Sequence, residues 1–454
     1  MKFYNRKAEF KALGNIKGRF RIAVTGRRRI GKTALVEQFY KKGRITLFVS
    51  AEKAEKEIIY DWISEYPGLH LPKVDNFRDF FDFIFFHFKD KIIFIDEFQN
   101  FLKVNKSFLF DLQRLIDKYK PKLVISGSII SLMKKLVEDY KSPLYGRFDL
   151  IIKLKELDFK TVYAICSDLG LGIEDAFKLY SVFGGIPKYY EMIEKLKEFN
   201  FNSFVLDSFV IYPRPLCEEV KTMLKEEFGS EYKAFFSILS SISQGKNKHS
   251  EIAGYLGKRQ TDITKYLAML KDDFELIERR TPLVEGKKGI YAIKNNILSF
   301  WFGNIWRYNE FLETLQEDKI AEIVENKLNL HISKNFEKII LGLIREKLIL
   351  HEFNFARAGS QWGKFKGEKG RNSYEIDIVA LNESTKEILF AECKWQDKVD
   401  AQKMLNAVKE KSGYVEWHNE DRKEFFAVFA KSFKEKTKKK NAMLFDIKDI
   451  EKAL

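Results

Sequence analysis

A glycine-rich run near the N-terminus constrains the fold of this chain more than any other segment. Residues 26–33 match the pattern G-x-x-x-x-G-K-[ST]; they follow an apolar stretch at residues 20–25, and helix-forming residues continue to about Tyr40. A strand that enters a glycine turn and leaves as a helix directs backbone N–H groups and the positive helix end at one anion. The sequence therefore predicts a phosphate-binding loop made of Gly26, Arg27, Arg28, Arg29, Ile30, Gly31, Lys32 and Thr33.

Two side chains of this loop have predictable roles. Lys32 is expected to reach the β- and γ-phosphate oxygens, and the Thr33 hydroxyl is expected to bind Mg²⁺. The three arginines at 27–29 could face phosphate, a partner domain or nucleic acid, and their positions in the sequence leave these alternatives open.

An acidic pair supplies the second half of the predicted site. Residues 92–97 read Ile-Ile-Phe-Ile-Asp-Glu, so four apolar residues predict a central strand that ends at Asp96. Asp96 is then expected beside the magnesium, and Glu97 is expected to orient the attacking water. The presence of Glu97 favours hydrolysis over nucleotide binding alone.

Three further residues are candidates at this site. Ser126 or Ser128, at the end of the next predicted strand, could sense the γ-phosphate; the alternative is an ordinary helix N-cap. Arg147 could supply the guanidinium that stabilises charge during phosphoryl transfer, and the alternative is a surface arginine.

The order of elements predicts an α/β, multidomain protein. Short apolar strands at 45–50, 91–96 and 122–126 alternate with helices, which predicts a parallel sheet. Three helices at 231–242, 249–256 and 260–270 with a hairpin at 276–280 and 289–294 predict a winged helix. The expected divisions are the phosphate-binding core at 1–155, a helical lid at 156–228, the winged helix at 229–298, a helical linker at 299–331 and a C-terminal α/β unit at 332–454.

The predicted winged helix has a possible nucleic-acid face. Its third helix would present Lys258, Arg259, Gln260, Thr261 and Lys265 to a groove, and Lys287 and Lys288 of the wing would touch phosphates. Residues 231–294 hold twelve Lys/Arg against eight Asp/Glu, which is only mildly basic. A packing spacer is therefore the open alternative.

A carboxylate cluster is predicted in the C-terminal unit. Asp377 lies in the alternating stretch 374–380, and Glu392 and Lys394 share one face of the next predicted strand. Asp377 and Glu392 could hold a second Mg²⁺, Lys394 could position the attacking water, and Glu337 could add a third carboxylate. A hairpin with ordinary salt bridges is the alternative.

These motifs resemble two known families. Six motifs occur in an order that resembles the archaeal ATPase family, which is similar to AAA+ and STAND ATPases. They are Asn5-Arg6 with Glu9, the loop at 26–33, Ile-Asp-Glu97, Ser-Gly-Ser128, Pro-Leu-Tyr-Gly-Arg147 and Gly-Gly-Ile-Pro187. The resemblance implies ATP as the nucleotide, an adenine-side role for Asn5 and Arg6, and a switch-like cycle.

The C-terminal residues resemble the PD-(D/E)xK nuclease superfamily and the small domain of unknown function often attached to archaeal ATPases. Ile376 stands where the first nuclease motif usually has proline.

Charge and composition restrict the partners. The formal net charge is +15, which favours polyanions such as nucleic acid, DNA more than RNA, although lysine-rich composition alone is an alternative. The lysine-rich run at 431–440 could track a phosphate backbone or form a solvated face. Scattered histidines and isolated cysteines argue against zinc and disulfides and for a cytoplasmic protein without a membrane span.

The sequence leaves three functions open. The first is an ATPase that couples its nucleotide state to nucleic-acid binding or metal-dependent cleavage. The second is a signalling switch ATPase with an inert nuclease-like domain, acting through a homo-oligomer or a partner protein. The third is a transcription regulator that reads DNA through residues 260–270.

Overall fold

The computed structural model describes residues 2–284, 286, 289–308, 317–367, 370–436 and 441–454. The strands are β1 (Arg21–Thr25), β2 (Arg44–Phe48), β3 (Ile92–Asp96), β4 (Lys122–Gly127), β5 (Leu150–Lys153), β6 (Ile277–Arg280), β7 (Ile290–Ile293), β8 (Arg357–Gly367), β9 (Gly370–Asn382), β10 (Glu387–Lys394), β11 (Lys423–Ala430) and β12 (Ala442–Asp446). The helices of the N-terminal part are α1 (Lys7–Gly14), α2 (Lys32–Phe39), α3 (Glu55–Glu65), α4 (Phe77–His87), α5 (Phe101–Val104), α6 (Phe108–Tyr119) and α7 (Ile130–Val137).

The remaining helices follow in chain order. They are α8 (Phe159–Asp168), α9 (Ile173–Phe183), α10 (Pro187–Glu194), α11 (Phe201–Phe209), α12 (Pro215–Phe228), α13 (Tyr232–Ser243), α14 (His249–Tyr255), α15 (Gln260–Ala268), α16 (Asn296–Phe300), α17 (Glu317–Arg345), α18 (Ala401–Ser412) and α19 (Ile447–Ala453). The chain divides into two compact units, one of residues 1–157 and 186–192 and the other of residues 158–185 and 193–454.

The first unit is built on a parallel sheet of five strands in the order β2-β3-β4-β1-β5. Its strands are apolar on both faces because helices cover both sides. Ala23 packs into one core with Trp62 and the buried phenylalanines of α4, while Ile22 and Val24 pack into another with Leu35. The predicted parallel α/β core is thus confirmed.

The sequence did not predict the edge strand β5. Its four residues alternate between exposed and buried positions and are too few to give a clear period. β5 pairs with β1, and the Leu154 N–H donates to the Thr25 carbonyl at 2.7 Å. This pairing brings Leu154 and Lys155 to the glycine loop that follows β1.

The second unit begins with the helices α8, α9, α11 and α12, in agreement with the helical pattern predicted there. Helices α13, α14 and α15 and the antiparallel pair β6–β7 then form where the sequence predicted three helices and a hairpin. Helix α17 starts at Glu317, inside the predicted helical linker at 299–331, and continues to Arg345 in the predicted C-terminal unit.

A second sheet closes this unit, with strand order β12-β11-β10-β9-β8. The strands β8, β9 and β10 are antiparallel neighbours, whereas β10, β11 and β12 run parallel. Strands β9 and β10 form where the sequence predicted the strands of Asp377 and of Glu392. Strand β8 was missed because its sequence, RAGSQWGKFKG, is interrupted by glycines and lacks a period of two.

The loop after β6 packs onto this sheet. The Leu283 N–H donates to the Ser360 carbonyl at 3.1 Å, and the Val284 N–H donates to Gln361 Oε1 at 2.9 Å. Val284 is buried in the same apolar cluster as Ile376. The expected wing lysines, 287 and 288, lie outside the described residues.

Among the residues that the structure describes, no helix combines the length and the apolar character needed to cross a bilayer.

Candidate functional site

The loop between β1 and α2 depends on two glycines. Gly26 has φ +156°, and a Cβ there would lie 2.9 Å from the Leu154 carbonyl oxygen. Gly31 has φ +93° and directly precedes the first residue of α2. Both positions favour glycine because a side chain would be strained or would clash.

Lys32 is buried at the start of α2, with 6% of its surface exposed. Its Nζ donates to the Arg27 carbonyl at 3.1 Å, so the side chain folds back along the loop. Burial lowers the pKa of Lys32, and although Glu97 and Asp96 oppose this effect, the net direction is downward. A phosphate bound beside the ammonium group would compensate this buried charge.

Asp96 connects three elements at the carboxyl edge of the sheet. Thr33 Oγ1 donates to Asp96 Oδ2 at 2.7 Å, and the Glu97 N–H donates to Oδ1 at 3.0 Å. The hydroxyl of Ser126 also donates to Oδ1. Ser126 lies in β4, which is the strand next to β3 in the sheet. A hydroxyl beside a carboxylate is a donor set that Mg²⁺ accepts together with phosphate oxygens and water.

Glu97 turns away from the end of β3. Its backbone is left-handed, with φ 53°, and its Oε2 accepts a hydrogen bond from Ser128 Oγ at 2.7 Å. Gln99 Nε2 donates to the same oxygen, and only 2% of Gln99 is exposed. Both predicted serines therefore contact the acidic pair.

Sequence reasoning missed Gln99 and gave Arg6 a different role. A glutamine inside an aromatic segment was the available signal for Gln99. Arg6 is buried, with 7% of the residue exposed. Its guanidinium group donates to the Lys155 carbonyl at 2.7 Å and to the Ile30 carbonyl at 3.3 Å. It therefore ties the N-terminal segment to the glycine loop.

Arg147 lies in a different hydrogen-bond network. Its Nη2 is 2.9 Å from Asp117 Oδ2, its Nε donates to Asp117 Oδ1 at 3.1 Å, and its Nη1 donates to the Tyr145 carbonyl. Within the described part of the chain it forms no hydrogen bond to the glycine loop, to Asp96 or to Glu97.

The structure brings the predicted C-terminal residues together. The Cys393 N–H donates to Asp377 Oδ2 at 2.8 Å, which places this carboxylate between β9 and β10. Lys394 Nζ lies 3.3 Å from Glu392 Oε2 and 4.0 Å from Asp377 Oδ2. Lys411 of α18, which the sequence analysis did not single out, donates to Glu392 Oε1.

An irregularity in β9 positions Asp377. In the ladder with β8, Gly359 pairs with Val379 and Gln361 pairs with Ile376, so Ser360 alone faces Asp377 and Ile378. The ladder with β10 ends at Ile378 and Ala391. Asp377 therefore lies where β9 separates from β10, and a bulge of this kind re-aims a side chain.

The carboxylates here carry excess negative charge. Burial, followed by the charge of Glu392, raises the pKa of Asp377 to about 6. Burial, followed by the charge of Asp377, raises the pKa of Glu337 to about 8. A bound cation would relieve this repulsion, although no group of three or more His, Cys, Asp or Glu side chains in the described residues is arranged to hold a metal ion.

Comparisons with known proteins agree with this geometry. A family model described as "ATPase domain predominantly from Archaea" matches residues 3–193, and one described as "Archaea bacterial proteins of unknown function" matches residues 301–405. The uncharacterized protein MJECL04 of Methanocaldococcus jannaschii is 33% identical over 467 aligned positions, covering 98% of this chain and 99% of that protein. The Walker-type ATPase paby2304 of Pyrococcus abyssi is 17% identical and superposes with a TM-score of 0.51 over 66% of this chain and 96% of that one.

The parallel sheet, the glycine loop with Lys32 and Thr33, and the acidic pair after β3 define a P-loop ATPase. The likeness to the Pyrococcus structure supports the same fold. The chain belongs to the archaeal ATPase family, and its residues 301–405 match a second family, of unknown function.

Proposed function

We propose that this ATPase couples ATP binding and hydrolysis in the first unit to metal-dependent cleavage of nucleic acid in the second. The observation that carries the second half is the convergence of Asp377, Glu392 and Lys394 where β9 and β10 separate. Two carboxylates and a lysine at one strand end are suited to phosphodiester hydrolysis.

At the nucleotide site, each side chain has a proposed role. The loop residues 26–33 would bind the phosphates of ATP, with Lys32 neutralising charge on the β- and γ-oxygens. Thr33 and Asp96 would hold Mg²⁺, which supplies positive charge to the phosphates when bound. Glu97, held by Ser128 and Gln99, would accept a proton from the water whose oxygen attacks the γ-phosphorus as the bond to the bridging oxygen breaks.

Arg147 is proposed to stabilise the charge that develops in this step. Its pairing with the exposed carboxylate of Asp117 would have to open first. An exposed ion pair of this kind contributes only about 0–1 kcal/mol, so the rearrangement is inexpensive.

At the C-terminal site, Asp377 and Glu392 would hold a divalent cation, with Glu337 near them. Lys394 would orient the attacking water or stabilise charge on the scissile phosphate. The raised pKa values of Asp377 and Glu337 support this proposal because burial and neighbouring carboxylates disfavour their ionised forms, which a bound cation would stabilise.

We also propose the domain division predicted from the sequence, with residues 229–298 as a winged helix. The first turn of α15 supports DNA contact, since Gln260 and Thr261 are exposed and the Arg259 side chain is 85% exposed. The docking of residues 283–284 onto β8 leaves α15, rather than the loop after β6, as the proposed contact.

The test is an ATPase and a nuclease assay on one preparation of the full chain. Single-stranded and duplex DNA and RNA would be incubated with Mg²⁺ or Mn²⁺, with and without ATP. Cleavage that depends on the metal and changes with the nucleotide supports the proposal. Phosphate release with no cleavage of any nucleic acid would refute its second half.

One observation favours a second candidate function. Lys394 and Lys411 both contact Glu392, so two ammonium groups already occupy a carboxylate that would otherwise bind a metal. The C-terminal site would then be inert, and the chain would act as a switch ATPase that changes its oligomeric state or its protein partner. Two results together would distinguish this function. Light scattering would show that the molecular mass of the assembly changes with ATP, and metal titration would show no affinity at Asp377.

A further inference from the structure

A basic cavity lies beside the carboxylate cluster, inside the second unit. It has a volume of about 460 Å³, and its walls come from the end of β6 and the loop after it, from helix α17 and from strand β8. Glu278 and Glu337 are the acidic residues among the described lining. The basic residues among it are Arg279, Arg280, Lys294, Lys338, Arg345 and Arg357.

Most of this positive charge is not neutralised by carboxylates. Arg280 pairs with Glu278, with 2.6 Å between Nε and Oε1. Arg345, however, donates to the Ala358 carbonyl at 2.7 Å. Arg357 donates to the Leu283 carbonyl at 2.8 Å, and its Nη1 lies 4.0 Å from Glu383 Oε1. The neutral acceptor of Arg345 orients its guanidinium group without neutralising the charge.

Lys338 is a further cation of the cavity. It forms no hydrogen bond or ion pair with any residue that the structure describes, and it lines the cavity from the middle of α17. Its side chain is partly buried, so an anionic ligand beside the ammonium group would compensate its positive charge.

The cavity is continuous with the carboxylate cluster through two of its lining residues. Glu337 belongs to the lining, and the charge of Asp377 is the main electrostatic influence on it. Ser360 also belongs to the lining and is the residue that faces Asp377 across the bulge between β8 and β9. A ligand in the cavity would therefore contact two residues that adjoin Asp377.

The size and the aromatic wall narrow the class of ligand. Trp362, a half-buried residue of β8, is among the residues that line the cavity. A tryptophan face among cations is the arrangement on which single-stranded nucleic acid stacks its bases. The volume lies in the range of sites that enclose one small molecule, so a base-paired duplex is too large for it.

We propose that this cavity binds one unpaired nucleotide of a nucleic-acid strand. Its phosphate contacts Lys338 and Arg345, its base stacks on Trp362, and the adjoining phosphodiester is presented to Asp377 and Glu392. The last step rests on the proposed cleavage function, whereas binding in the cavity does not.

The test measures binding without cleavage. A fluorescein-labelled single-stranded DNA and a duplex of the same sequence would be titrated with the full chain in EDTA, at several salt concentrations, by fluorescence anisotropy. The variants are Lys338→Gln, Arg345→Gln and Trp362→Leu. Lys319→Gln is the matched control, because Lys319 is an exposed lysine of the same helix that does not line the cavity.

We expect wild type to bind the single strand more tightly than the duplex. Each of Lys338→Gln and Arg345→Gln should weaken single-strand binding about 10-fold and reduce the slope of log affinity against log salt by about 0.7. Trp362→Leu should weaken it about 10-fold, with an unchanged slope. Lys319→Gln should bind like wild type.

Two results would overturn the inference: equal affinity for single strand and duplex, or unchanged affinity in folded Lys338→Gln and Arg345→Gln proteins. Thermal unfolding identifies misfolded variants, and Lys338→Gln alone decides the test if Arg345→Gln does not fold. If the protein binds the single strand as expected but cuts no nucleic acid, the proposed cleavage is refuted and the binding cavity is not. If the variants bind as wild type does and still cut nucleic acid, the binding cavity is refuted and the proposed cleavage is not.

Discussion

Thr33 donates its hydroxyl hydrogen to Asp96 across 2.7 Å, which joins the first turn of α2 to the end of β3. The two residues belong to strand–helix units that are not neighbours in the sheet, since β4 lies between β1 and β3. The contact therefore depends on the strand order, and the hydroxyl of Ser126 on the intervening strand reinforces it.

Replacing Lys32 by alanine should lower ATP turnover about 100- to 1,000-fold, because it removes the buried ammonium group that we propose neutralises charge on the phosphates. Phosphate release under saturating ATP is the measurement. Lys42→Ala, a change at an exposed lysine just beyond α2, is the control and should retain wild-type turnover. Equal rates in the two variants would contradict the proposed role of Lys32.

Glu97→Gln should preserve nucleotide binding and reduce hydrolysis about 100-fold or more, because the amide cannot accept the proton of water. Calorimetric titration with ATP measures the first quantity and phosphate release measures the second. Gln99→Leu should give a smaller loss in turnover, since it removes one of the hydrogen bonds that hold Glu97. Loss of binding in Glu97→Gln would point instead to a structural role.

Asp377→Asn and Lys394→Ala should each abolish nucleic-acid cleavage while ATP turnover continues, because the two sites are chemically separate. Both activities would be measured on the same preparation. Asp421→Asn, at an exposed carboxylate that pairs with Lys386, should retain cleavage. A nuclease activity that survives in Asp377→Asn would have to arise elsewhere in the chain or from a contaminant.

Metal affinity at the C-terminal cluster should fall as the pH falls below about 6, because the pKa of Asp377 is raised to that value. Its carboxylate is deprotonated above this pH and takes up a proton below it, so the affinity should weaken about tenfold per pH unit under about 6. The check is a series of calorimetric titrations with Mn²⁺ between pH 7.5 and pH 5, which give the metal affinity at each pH. The Asp377→Asn protein should lack this dependence.

His331 should make folding stability sensitive to acid. Its Nε2 lies 2.9 Å from the Ser181 carbonyl oxygen, and burial lowers its pKa from 6.5 to about 3. The unfolded chain therefore binds a proton below pH 6.5 that the folded chain does not bind, so stability is lost as the pH falls from about 6.5 toward 3. From pH 7 to pH 5 this residue should account for about 2 kcal/mol of the loss.

The measurement for His331 is urea unfolding of the wild-type protein and of His331→Gln at both pH values. The variant will be less stable at pH 7, yet it should lose less stability on acidification. A parallel loss in the two proteins would show that the proton is taken up elsewhere.

Local patterns were sufficient to predict the loop between β1 and α2 and much of the fold. The glycine loop, the apolar strand before Asp96, and the alternation around Asp377 and Glu392 each reflect burial and strand direction within a few residues. The contacts of Arg6 and Lys411, and the 3.4 Å contact of Gln99 Nε2 with Ser128 Oγ, depend instead on residues far away in the sequence. For example, Lys411 meets Glu392 only because α18 packs across β10.

Weakly patterned strands were the other source of error. Strand β5 is short and half exposed, and β8 carries glycines at 359 and 363, so neither shows a clear period of two. Their places in the sheets are fixed by the strands they pair with. The contact between the glycine loop and Leu154, directly after β5, could not be predicted without the pairing of β5 with β1.

Val284 has a practical consequence for dividing the protein into fragments. A fragment that starts at residue 332 would lack this valine and would leave a void beside Ile376 and Val379, while Arg357 would lose the Leu283 carbonyl. Burial of such a side chain contributes roughly 1.5–3 kcal/mol. The C-terminal sheet is therefore not an independent domain, because a residue of the upstream segment fills part of its core. The two segments must be expressed together, and exchanged between relatives together.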